Sequence, residues 1–394
     1  MTRVGEDSST VRHSSRITLS QSALTKNLRF VRRKVGPEPI ISSVVKANAF
    51  GHGIAPFVRM AERSGIRHFS VASSSEAKEV LRVRRTDARV MIMGILYPED
   101  LFWAIANDIE FFVFDFVRLQ TALRVAQEVG RPARVHLEVE TGGNRTGLPE
   151  EAFGAALDLL ATHPGALRFE GLCTHFAGIE SLANQFRVQK QLARFDEACR
   201  TSERRGIVPR LRHTACSGAA LAFPETVMDL VRIGTAQYGF WPGPDVYHLH
   251  LQQVGKKRDN PLKRVLTWKT DVMHLKPVAR DDFVGYGTSY QAPRDMLVAV
   301  LPVGYADGYP RSLSNFGEVL IRGKRAPVVG MVNMNVMMVD VSHVPDVRVG
   351  DEVVLVGRQG RQAVSVRSFA EFTNALNNEF VSRLPAVIPR VPVS

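Results

Sequence analysis

Short apolar runs alternate with longer amphipathic stretches from Ile17 to about Asp245. A short apolar run bounded by turn residues predicts a buried strand, whereas apolar residues spaced three and four apart predict a helix. Eight strands are predicted in this part of the chain: Ile40–Val45, His68–Ala72, Arg89–Met93, Ile109–Phe114, Arg134–Glu140, Phe169–Thr174, Leu211–Thr214 and Asp229–Ile233. The predicted helices include Ser22–Arg33, Ile54–Arg63, Ser75–Val83, Phe116–Glu128, Glu151–Thr162 and Leu182–Arg205.

This alternation predicts the fold class of the first part of the chain. Eight strands that alternate with helices over roughly the length of such a fold indicate an α/β protein with a closed parallel (β/α)8 barrel of the TIM type. A doubly wound open sheet is the alternative, but the sequence has nothing that resembles the glycine-rich phosphate turn of that fold. We therefore predict the barrel.

The pattern changes after about Asp245. Strands that follow one another closely, with few helices before Ser368, predict a mainly antiparallel β domain. These strands are Arg264–His274, Leu297–Leu301, Val319–Ile321, Ala326–Val329 and Glu352–Val356. A polar linker at Lys256–Pro261 separates the two parts. The predicted organisation is a disordered arm over residues 1–16, the barrel over residues 17–255 and the C-terminal β domain over residues 256–394.

Composition narrows the class of protein. Hydrophobic residues make up 45% of the chain and charged residues 23%, which is typical of globular proteins. No apolar run is long enough to span a bilayer, and residues 1–15 lack the apolar stretch of a secretory signal, so we predict a cytoplasmic protein without membrane contact. Cys173, Cys199 and Cys216 are too few and too scattered for a disulfide framework or a zinc site, so no metal is predicted.

The net charge of +12 raises the question of nucleic-acid binding. The basic residues are spread along the chain rather than massed with aromatic residues. The densest run, at residues 32–34, lies where a helix is predicted to end, and there it complements the helix dipole. A basic surface also suits a phosphorylated cofactor and acidic metabolites, so no nucleic-acid partner is predicted.

Lys46 is the residue around which the candidate chemistry is arranged. It ends an apolar, β-branched run and is followed by small residues that include Gly51 and Gly53. A partly desolvated lysine loses affinity for its proton and becomes a free amine, which is what Schiff-base formation with an aldehyde requires. A lysine that merely ends a strand and reaches water is the simpler alternative.

The sequence motifs around Lys46 and further along the chain resemble those of one enzyme family. Residues 44–53, Val-Val-Lys-Ala-Asn-Ala-Phe-Gly-His-Gly, resemble the lysine motif of fold-type III enzymes that use pyridoxal 5′-phosphate (PLP), most closely that of alanine racemase. The resemblance covers nearly everything from Ile17 to Val391. The other motifs that carry the resemblance are Glu140-Thr141-Gly142 through Gly147, Thr174–Ala177, His213–Ser217, Val231–Gly239, Gly285-Tyr286-Gly287, Gly304–Gly308 and Gly330–Met334.

The resemblance implies that PLP is the cofactor and assigns residues to it. Lys46 would carry the cofactor, and His175 would belong to the cofactor site. Ser217, Gly234 and Thr235 follow the last barrel strands, where a hydroxyl and free backbone amides suit a phosphate. Ser217 could equally cap a helix. Arg232 would face the pyridine nitrogen and leave it unprotonated, because an arginine keeps its own proton.

The resemblance also implies a second catalytic group and a homodimer. Racemisation needs two bases on opposite faces of the substrate, and Tyr286 would act opposite Lys46 across the dimer interface. Arg145 and the backbone amide of Met334 would hold the substrate carboxylate. Many relatives have, at the position of Glu138, a lysine modified to a carbamate whose charge positions the arginine that corresponds to Arg145. Glu138 would supply that charge directly.

Four residues depart from the family pattern. Phe50 and Pro389 stand where tyrosines usually donate hydrogen bonds to the phosphate, so cofactor affinity depends on other donors. Cys216 replaces the usual asparagine and Asn335 the usual aspartate near the substrate.

The resemblance therefore implies a PLP-dependent amino-acid racemase, an isomerase that interconverts L- and D-alanine. A racemase for another amino acid stays open, because Cys216 and Asn335 are expected near the substrate. A decarboxylase of the same fold type would carry a glycine-rich phosphate stretch, which is not found. A PLP-binding protein without catalysis would consist of the barrel alone, whereas this chain continues into a second domain that contains Tyr286.

Overall fold

A computed structural model describes residues 13–255, 260–365 and 377–394. The chain divides into two compact units. One unit is Ser20–Val265, and the other combines the described residues up to Leu19 with those from Leu266 to Val393.

Strands and helices follow one another along the chain. The strands of the described residues are β1 (Ser15–Ser20), β2 (Ile40–Val44), β3 (His68–Ser73), β4 (Arg89–Ile95), β5 (Glu110–Val113), β6 (Ala133–Glu138), β7 (Leu167–Cys173), β8 (Leu211–His213), β9 (Leu230–Ile233), β10 (Leu266–Asp271), β11 (His274–Val278), β12 (Met296–Leu301), β13 (Glu318–Ile321), β14 (Lys324–Pro327), β15 (Met337–Asp340), β16 (Glu352–Gln359), β17 (Gln362–Val364) and β18 (Arg390–Val393). The helical segments are α1 (Gln21–Val35), α2 (Lys46–Phe50), α3 (Ile54–Arg63), α4 (Ser74–Val83), α5 (Pro98–Ala106), α6 (Phe116–Val129), α7 (Glu150–Thr162), α8 (Gln185–Arg204), α9 (Ser217–Ala222), α10 (Pro244–Val254) and α11 (Asn377–Ser382).

The unit Ser20–Val265 is built on an eight-stranded parallel sheet. Its strand order is β8-β7-β6-β5-β4-β3-β2-β9. A parallel bridge between Cys216 and Arg232, beyond the end of β8, brings the two edge strands together, so that the sheet forms a nearly closed barrel. The predicted α/β barrel fold is therefore confirmed, and all eight predicted strands are present.

The barrel strands are apolar because both of their faces are covered. All four residues of β5 are buried, as are all four residues of β9. The surrounding helices bury one apolar stripe each, and α3 buries Phe57, Val58, Met60 and Ala61. This packing places the carboxyl ends of the strands, where polar residues follow, at one mouth of the barrel.

The second unit is mainly antiparallel, as predicted. One sheet has the order β14-β13-β16-β10-β1-β18, with β17 paired to β16, and a smaller sheet has the order β11-β12-β15. β1 pairs antiparallel with β10, from Ser15 opposite Thr270 to Leu19 opposite Leu266. The first strand of the described residues thus belongs to the C-terminal β domain. Sequence patterns did not reveal this pairing, because its two strands are about 250 residues apart.

The unit boundaries differ from the predicted ones. The predicted arm, residues 1–16, ends inside β1, and residues 1–12 lie outside the described residues. The barrel was predicted to span residues 17–255, but its first residues, up to Leu19, belong to the other unit. The second boundary lies between Val265 and Leu266 rather than at residue 256. Of the predicted linker Lys256–Pro261, residues 256–259 lie outside the described part of the chain.

Five of these helical segments, α2, α5, α9, α10 and α11, were not among the named predictions. Three of them, α2, α9 and α11, have six residues or fewer, and α5 and α10 each begin at a proline, which suits the first helical position. No helix in the described ranges is long and apolar enough to cross a membrane.

Candidate active site

Lys46 lies directly beyond β2, at the barrel mouth. The carbonyl of Val44, at the strand end, accepts hydrogen bonds from Gln237 Nε2 at 3.0 Å and from the Tyr238 hydroxyl at 2.8 Å. The amide of Val45 donates to the carbonyl of Ser70 at 2.9 Å, so the chain still follows β3 at this point. The backbone that leads to Lys46 is therefore fixed on both sides.

A left-handed turn follows Lys46. Ala47, Asn48, Ala49 and Phe50 have φ values of 53°, 52°, 54° and 51°. For residues other than glycine this conformation costs about 1–2 kcal/mol each, and it persists only where the surroundings hold it. Within the turn the amide of Gly51 donates to the Ala47 carbonyl at 3.0 Å. The turn makes the chain reverse sharply beside the lysine.

Asn48 closes the left-handed turn. Its side-chain oxygen accepts from the amide of Ile54 at 3.0 Å, and its carbonyl accepts from the amide of Gly53 at 2.9 Å. Gly51 and Gly53 also have positive φ, of 76° and 84°. Glycines there let the chain return from the turn into α3 without a side-chain clash.

The proton affinity of Lys46 is reduced by its surroundings. The residue is exposed at the barrel mouth, but the surrounding protein atoms partly desolvate its amine. Burial lowers the pKa of Lys46 most, the positive charges of Arg145 and Arg232 lower it further, and Glu76 opposes them. A lysine in this setting is a free amine more often than a surface lysine is.

Arg232 is buried at the end of β9, with 3% of its surface exposed. Its guanidinium donates to the backbone carbonyls of His213 at 3.0 Å, Thr174 at 2.8 Å and Thr214 at 2.9 Å. It also contacts Nδ1 of His213, and its NH2 group lies 3.5 Å from Nδ1 of His175. Three carbonyls at strand ends therefore fix the direction of a permanent positive charge.

His175 is neutral beside that charge. Burial lowers the pKa of His175 to about 3, assisted by the positive charges of Arg232, Arg145 and Lys46. A neutral imidazole can accept a hydrogen bond at one nitrogen and donate one at the other. His175 therefore offers a donor and an acceptor at the barrel mouth without adding a charge.

A chain of buried side chains runs from Arg232 into the barrel. His213 Nε2 lies 2.8 Å from His136 Nδ1, and His136 Nε2 lies 3.1 Å from a carboxylate oxygen of Glu110. His68 Nε2 lies 3.1 Å from the same oxygen. Burial alone would raise the pKa of Glu110, but the hydrogen bonds from His136 and His68 hold it well below its usual value. Glu110 is thus ionised and accepts from both rings.

The ionised Glu110 determines where the protons of the chain lie. Burial lowers the pKa values of His136 and His213, so both rings are neutral. Because His136 donates from Nε2 to Glu110, its Nδ1 must accept from Nε2–H of His213. Nδ1 of His213 then accepts from Arg232. The Glu110 carboxylate therefore determines the tautomers of His136 and His213. It thereby also determines that Nδ1 of His213 is the acceptor for Arg232.

Ser217, Gly234 and Thr235 lie together after β8 and β9. The Ser217 hydroxyl accepts from the amide of Gly234 at 3.0 Å and from that of Ala236 at 3.4 Å, so its own proton is available to donate. Ser217 begins α9 without acting as its cap; the capping position is Cys216. A Cβ on Gly234 would lie 3.3 Å from Cζ of Phe50, so the Phe50 ring borders this segment.

Arg145 lies on a short loop after β6. The Glu140 carboxylate accepts from the amide of Asn144 at 3.0 Å and shapes the loop, on which Arg145 is exposed. Glu138 is buried, and burial raises its pKa, while the Thr146 hydroxyl and the charges of Arg232 and Arg145 oppose that increase. Glu138 and Arg145 act on each other through their charges but form no ion pair within 4.0 Å in the described structure.

Tyr286 and Met334 belong to the other unit, and each is exposed on a loop. Tyr286 lies between Gly285 and Gly287, which both have positive φ, and 73% of its surface is exposed. The carbonyl of Met334 accepts from the amide of Ala306 at 2.9 Å, which joins the loops Gly304–Gly308 and Gly330–Met334. Asn335 follows Met334 directly in this joined loop.

Two family models match the chain. The model of the alanine racemase N-terminal domain matches residues 19–242, and that of the C-terminal domain matches residues 265–392. The chain belongs to the alanine racemase family. The alanine racemase of Desulforamulus reducens is 36% identical over 373 residues, which are 95% of this chain and 97% of that protein. The alanine racemase of Leptospira interrogans is 32% identical over 383 residues, 97% of this chain and 96% of that protein.

Solved structures of alanine racemases have the same fold. The enzyme of Streptomyces coelicolor superimposes with a TM-score of 0.86 at 31% identity, covering 96% of this chain and 98% of that chain. The Bacillus anthracis enzyme with bound L-Ala-P gives a TM-score of 0.86 at 29% identity, covering 97% of this chain and 96% of that chain. The predicted enzyme class, a racemase of the alanine racemase type and hence an isomerase, is confirmed.

Alanine racemases use PLP and act on a small amino acid. The groups at the barrel mouth fit such a cofactor. Lys46 is an amine with a lowered pKa, Ser217 has an available hydroxyl proton beside the Gly234 backbone, and Arg232 is a fixed cation. An aldehyde, a phosphate and a ring nitrogen require groups of these kinds.

Sequence reasoning missed several residues of this site. Glu76, Glu110 and His136 were not singled out, although Glu76 accepts from the amide that follows Lys46 and His136 links Glu110 to His213. For Glu76 the local signal was its position three residues after Ser73, which is typical of a helix start. Glu110 and His136 lie inside predicted apolar strands, where a charged or polar residue is an exception that marks a buried polar contact.

Proposed function

We propose that this protein interconverts L- and D-alanine with PLP attached to Lys46, in a homodimer whose sites combine residues of both copies. The observation that carries the proposal is the environment of Lys46. Its amine is partly desolvated just beyond the end of a barrel strand and lies within electrostatic reach of the buried Arg232. This arrangement suits an amine that must attack an aldehyde near neutral pH.

Lys46 has two tasks in this proposal. As a free amine it would form the covalent bond that holds the cofactor. When bound, PLP draws electrons away from the Cα of an attached amino acid and so makes the Cα proton acidic. The Lys46 amine, when it is free, would be a base on one face of that carbon.

Arg232 would limit the electron withdrawal by the cofactor ring. Its three hydrogen bonds to carbonyls and its contact with His213 hold the guanidinium in one orientation. An arginine that faces the ring nitrogen does not give up its proton, so that nitrogen stays unprotonated. The fixed charge of Arg232 would thereby suppress side reactions, at the expense of slower removal of the Cα proton.

The phosphate is held by the segment that follows β8 and β9. The Ser217 hydroxyl would donate its proton, and the backbone of Gly234 and Thr235 would approach the phosphate closely. Phe50 borders this segment without a hydroxyl group. Pro389 likewise has none to offer, so Ser217 is the principal side-chain donor in this proposal.

The second base is Tyr286 of the neighbouring copy. An exposed tyrosine at a loop tip can reach into a partner's barrel mouth, and its phenolic group would serve the face opposite Lys46. Arg145 and the Met334 amide would hold the substrate carboxylate, with Glu138 as the buried negative charge behind Arg145. Two bases on two faces are the minimum that racemisation requires.

A racemase for another amino acid is the second candidate. Cys216 favours it, because this half-buried thiol lies close enough to Lys46 to affect its charge and stands where the family usually has asparagine. Exchange of the α-proton of L-alanine and of a panel of other L-amino acids into deuterated water would separate the two candidates.

The attachment of the cofactor tests the proposal directly. Protein loaded with PLP is reduced with borohydride and digested, and we expect the label on the peptide that contains Lys46. Lys46→Ala protein should bind less PLP and carry no reduced label, whereas Lys34→Ala, which removes an exposed lysine paired with Gln253, should be labelled as the native protein is. A label on another lysine, or none, would contradict the proposal.

A further inference from the structure

Glu76 connects the end of one barrel strand to the turn that carries Lys46. It lies in the first turn of α4, and one carboxylate oxygen accepts from the amide of Ala72 at 2.8 Å. The other oxygen accepts from the amide of Ala47 at 2.7 Å. Ala72 is near the end of β3, and Ala47 is the first residue of the left-handed turn. One carboxylate therefore bridges two neighbouring segments of the barrel mouth.

This bridge is not the usual role of a glutamate at its position. Ser73 caps α4 by accepting from the amide of Glu76 at 3.4 Å. In a standard capping box the glutamate would return to the amide of the capping residue itself. Here it reaches one residue further back, to Ala72, and across to Ala47. The helix start is capped by Ser73 in any case, so the carboxylate serves the turn.

The bridge formed by the Glu76 carboxylate is close enough to Lys46 to orient it. The Ala47 amide is one peptide unit from the Cα of Lys46, so the hydrogen bond from Ala47 fixes the orientation of the peptide that follows the lysine. Because the turn is left-handed over four residues that are not glycine, its surroundings must hold it in place. Glu76 also places a negative charge near the Lys46 amine.

We propose that Glu76 is a positioning residue for Lys46: its carboxylate ties the left-handed turn to the end of β3 and so fixes the direction in which the lysine side chain enters the barrel mouth. The proposal rests on the proposed function, because it assumes that Lys46 attaches the cofactor. Two effects follow. Loss of the hydrogen bonds loosens the turn, and loss of the charge changes the protonation of the lysine.

Four variants separate these effects. Glu76→Ala removes both hydrogen bonds and the charge. Glu76→Gln removes the charge and keeps one acceptor oxygen, whereas Glu76→Asp keeps the charge but is one methylene too short to bridge both amides. Ser73→Ala removes the cap of α4 and leaves the carboxylate in place, so it is the control for a role in helix stability alone.

The first measurement is the rate at which added PLP becomes attached to Lys46, trapped by borohydride and mapped to the peptide, as a function of pH. At high pH every lysine amine is free, so the plateau rate reports positioning, and the pH midpoint reports the nearby charge. We expect Glu76→Ala and Glu76→Asp to lower the plateau about tenfold. Glu76→Ala and Glu76→Gln should lower the midpoint by about half a pH unit, whereas Glu76→Asp keeps it.

The second measurement is hydrogen exchange of the peptide that spans the turn, in full-length protein without added PLP. We expect the Ala47 amide to exchange at least tenfold faster in Glu76→Ala than in the native protein, and at the native rate in Ser73→Ala. A native plateau and native exchange in Glu76→Ala would overturn the proposal. An equal fall of the plateau in Ser73→Ala would also overturn it, because helix stability would then explain the effect.

The labelling results distinguish a failure of the proposed function from a failure of the positioning role of Glu76. If native protein takes no label on Lys46 at any pH, Lys46 does not attach the cofactor, and both the proposed function and the positioning role fall. If native protein is labelled on Lys46 and the Glu76→Ala protein is labelled at the same plateau rate, the proposed function stands and only the role of Glu76 is wrong.

Discussion

The aromatic ring of Phe50 borders the segment that is proposed to hold the phosphate, but it offers no hydrogen-bond donor. Its Cζ atom lies 3.3 Å from where a Cβ on Gly234 would be. The ring itself packs against Tyr238 with 4.8 Å between centroids, so its position is fixed by the aromatic cluster behind it. A hydroxyl added at Cζ would therefore extend toward the phosphate segment.

We predict that Phe50→Tyr increases the affinity for PLP. One added hydrogen bond to a charged phosphate is worth about 1.5–3 kcal/mol, so the dissociation constant should fall by about tenfold or more. Equilibrium titration of protein without cofactor measures it. Phe50→Leu, which has no hydroxyl, is the matched control and should not bind more tightly. An unchanged dissociation constant in Phe50→Tyr would show that Cζ does not point at the phosphate.

Glu138 is a second position at which this chain departs from many relatives, which have a carbamate-modified lysine there. Its buried carboxylate has a raised pKa, but the charges of Arg232 and Arg145 oppose that increase. The absence of a direct ion pair with Arg145 means that the proposed influence of Glu138 acts through the field rather than through a hydrogen bond. Loss of this field would weaken substrate binding without removing the cofactor.

We predict that Glu138→Gln raises the KM for the amino acid about threefold to tenfold with little effect on PLP content. Activity of the native protein should be indifferent to bicarbonate, because the glutamate needs no carbon dioxide to carry its charge. Steady-state kinetics with and without bicarbonate check both statements, and the absorbance of bound PLP is the control. An unchanged KM, or activity that depends on bicarbonate, would rule out the role of Glu138.

At the scale of the elements, the barrel strands are joined by the buried polar chain as well as by backbone hydrogen bonds. Glu110 on β5 accepts from His68 on β3 and from His136 on β6, and it also pairs with Arg89 on β4. All four strands therefore depend on one carboxylate that has no exposed surface. Removing one partner from such a buried group leaves the others without compensation.

We predict that Glu110→Gln lowers the free energy of unfolding by about 3–5 kcal/mol at pH 7. Urea unfolding measures it, with Glu128→Gln as control, because Glu128 is 54% exposed in a surface pair with Arg124 and should change stability by less than about 1 kcal/mol.

The effect of Glu110→Gln should also depend on pH. The pKa of Glu110 in the fold is well below the usual 4.5, so its stabilising effect is complete above pH 4.5 and is lost as the pH falls through the folded pKa. The difference between native and variant should therefore shrink in acid. A difference that stays constant below pH 4.5 would contradict an ionised Glu110.

At the scale of the whole molecule, the proposed catalytic bases belong to different units. Lys46 is in the barrel, whereas Tyr286 is on an exposed loop of the β unit. If Tyr286 serves the barrel of a neighbouring copy, a defect in Lys46 and a defect in Tyr286 can be carried by different chains while one site of the dimer stays complete.

We predict that mixing Lys46→Ala and Tyr286→Phe chains restores activity. Random exchange makes about half of the dimers hybrid, each with one intact site of two, so about a quarter of the native activity should return. Activity after dissociation and reassociation measures it, and each variant alone, treated in the same way, is the control. No recovery, with hybrids demonstrated by differential tags, would place both bases in one chain.

The sequence by itself determined the barrel and the location of Lys46. Each barrel strand is covered on both faces and therefore reads as an apolar run, and each helix buries one stripe, so local patterns contain the information. The same holds for Ser217 and Arg232, because the carboxyl ends of barrel strands meet at one mouth wherever the strands are in the chain.

Only the tertiary structure decided which residues touch one another. The pairing of β1 with β10 assigns the first strand to the C-terminal unit, and no local pattern records a partner about 250 residues away. In the sequence, Glu110, His68 and His136 are polar residues in three separate apolar strands. Only the folded barrel brings them into hydrogen-bonding contact. Glu76 looks like a helix cap until the fold brings Ala47 within 2.7 Å of it. Hydrophobic pattern is a local property of the chain, whereas hydrogen bonds between distant segments exist only after the chain has folded.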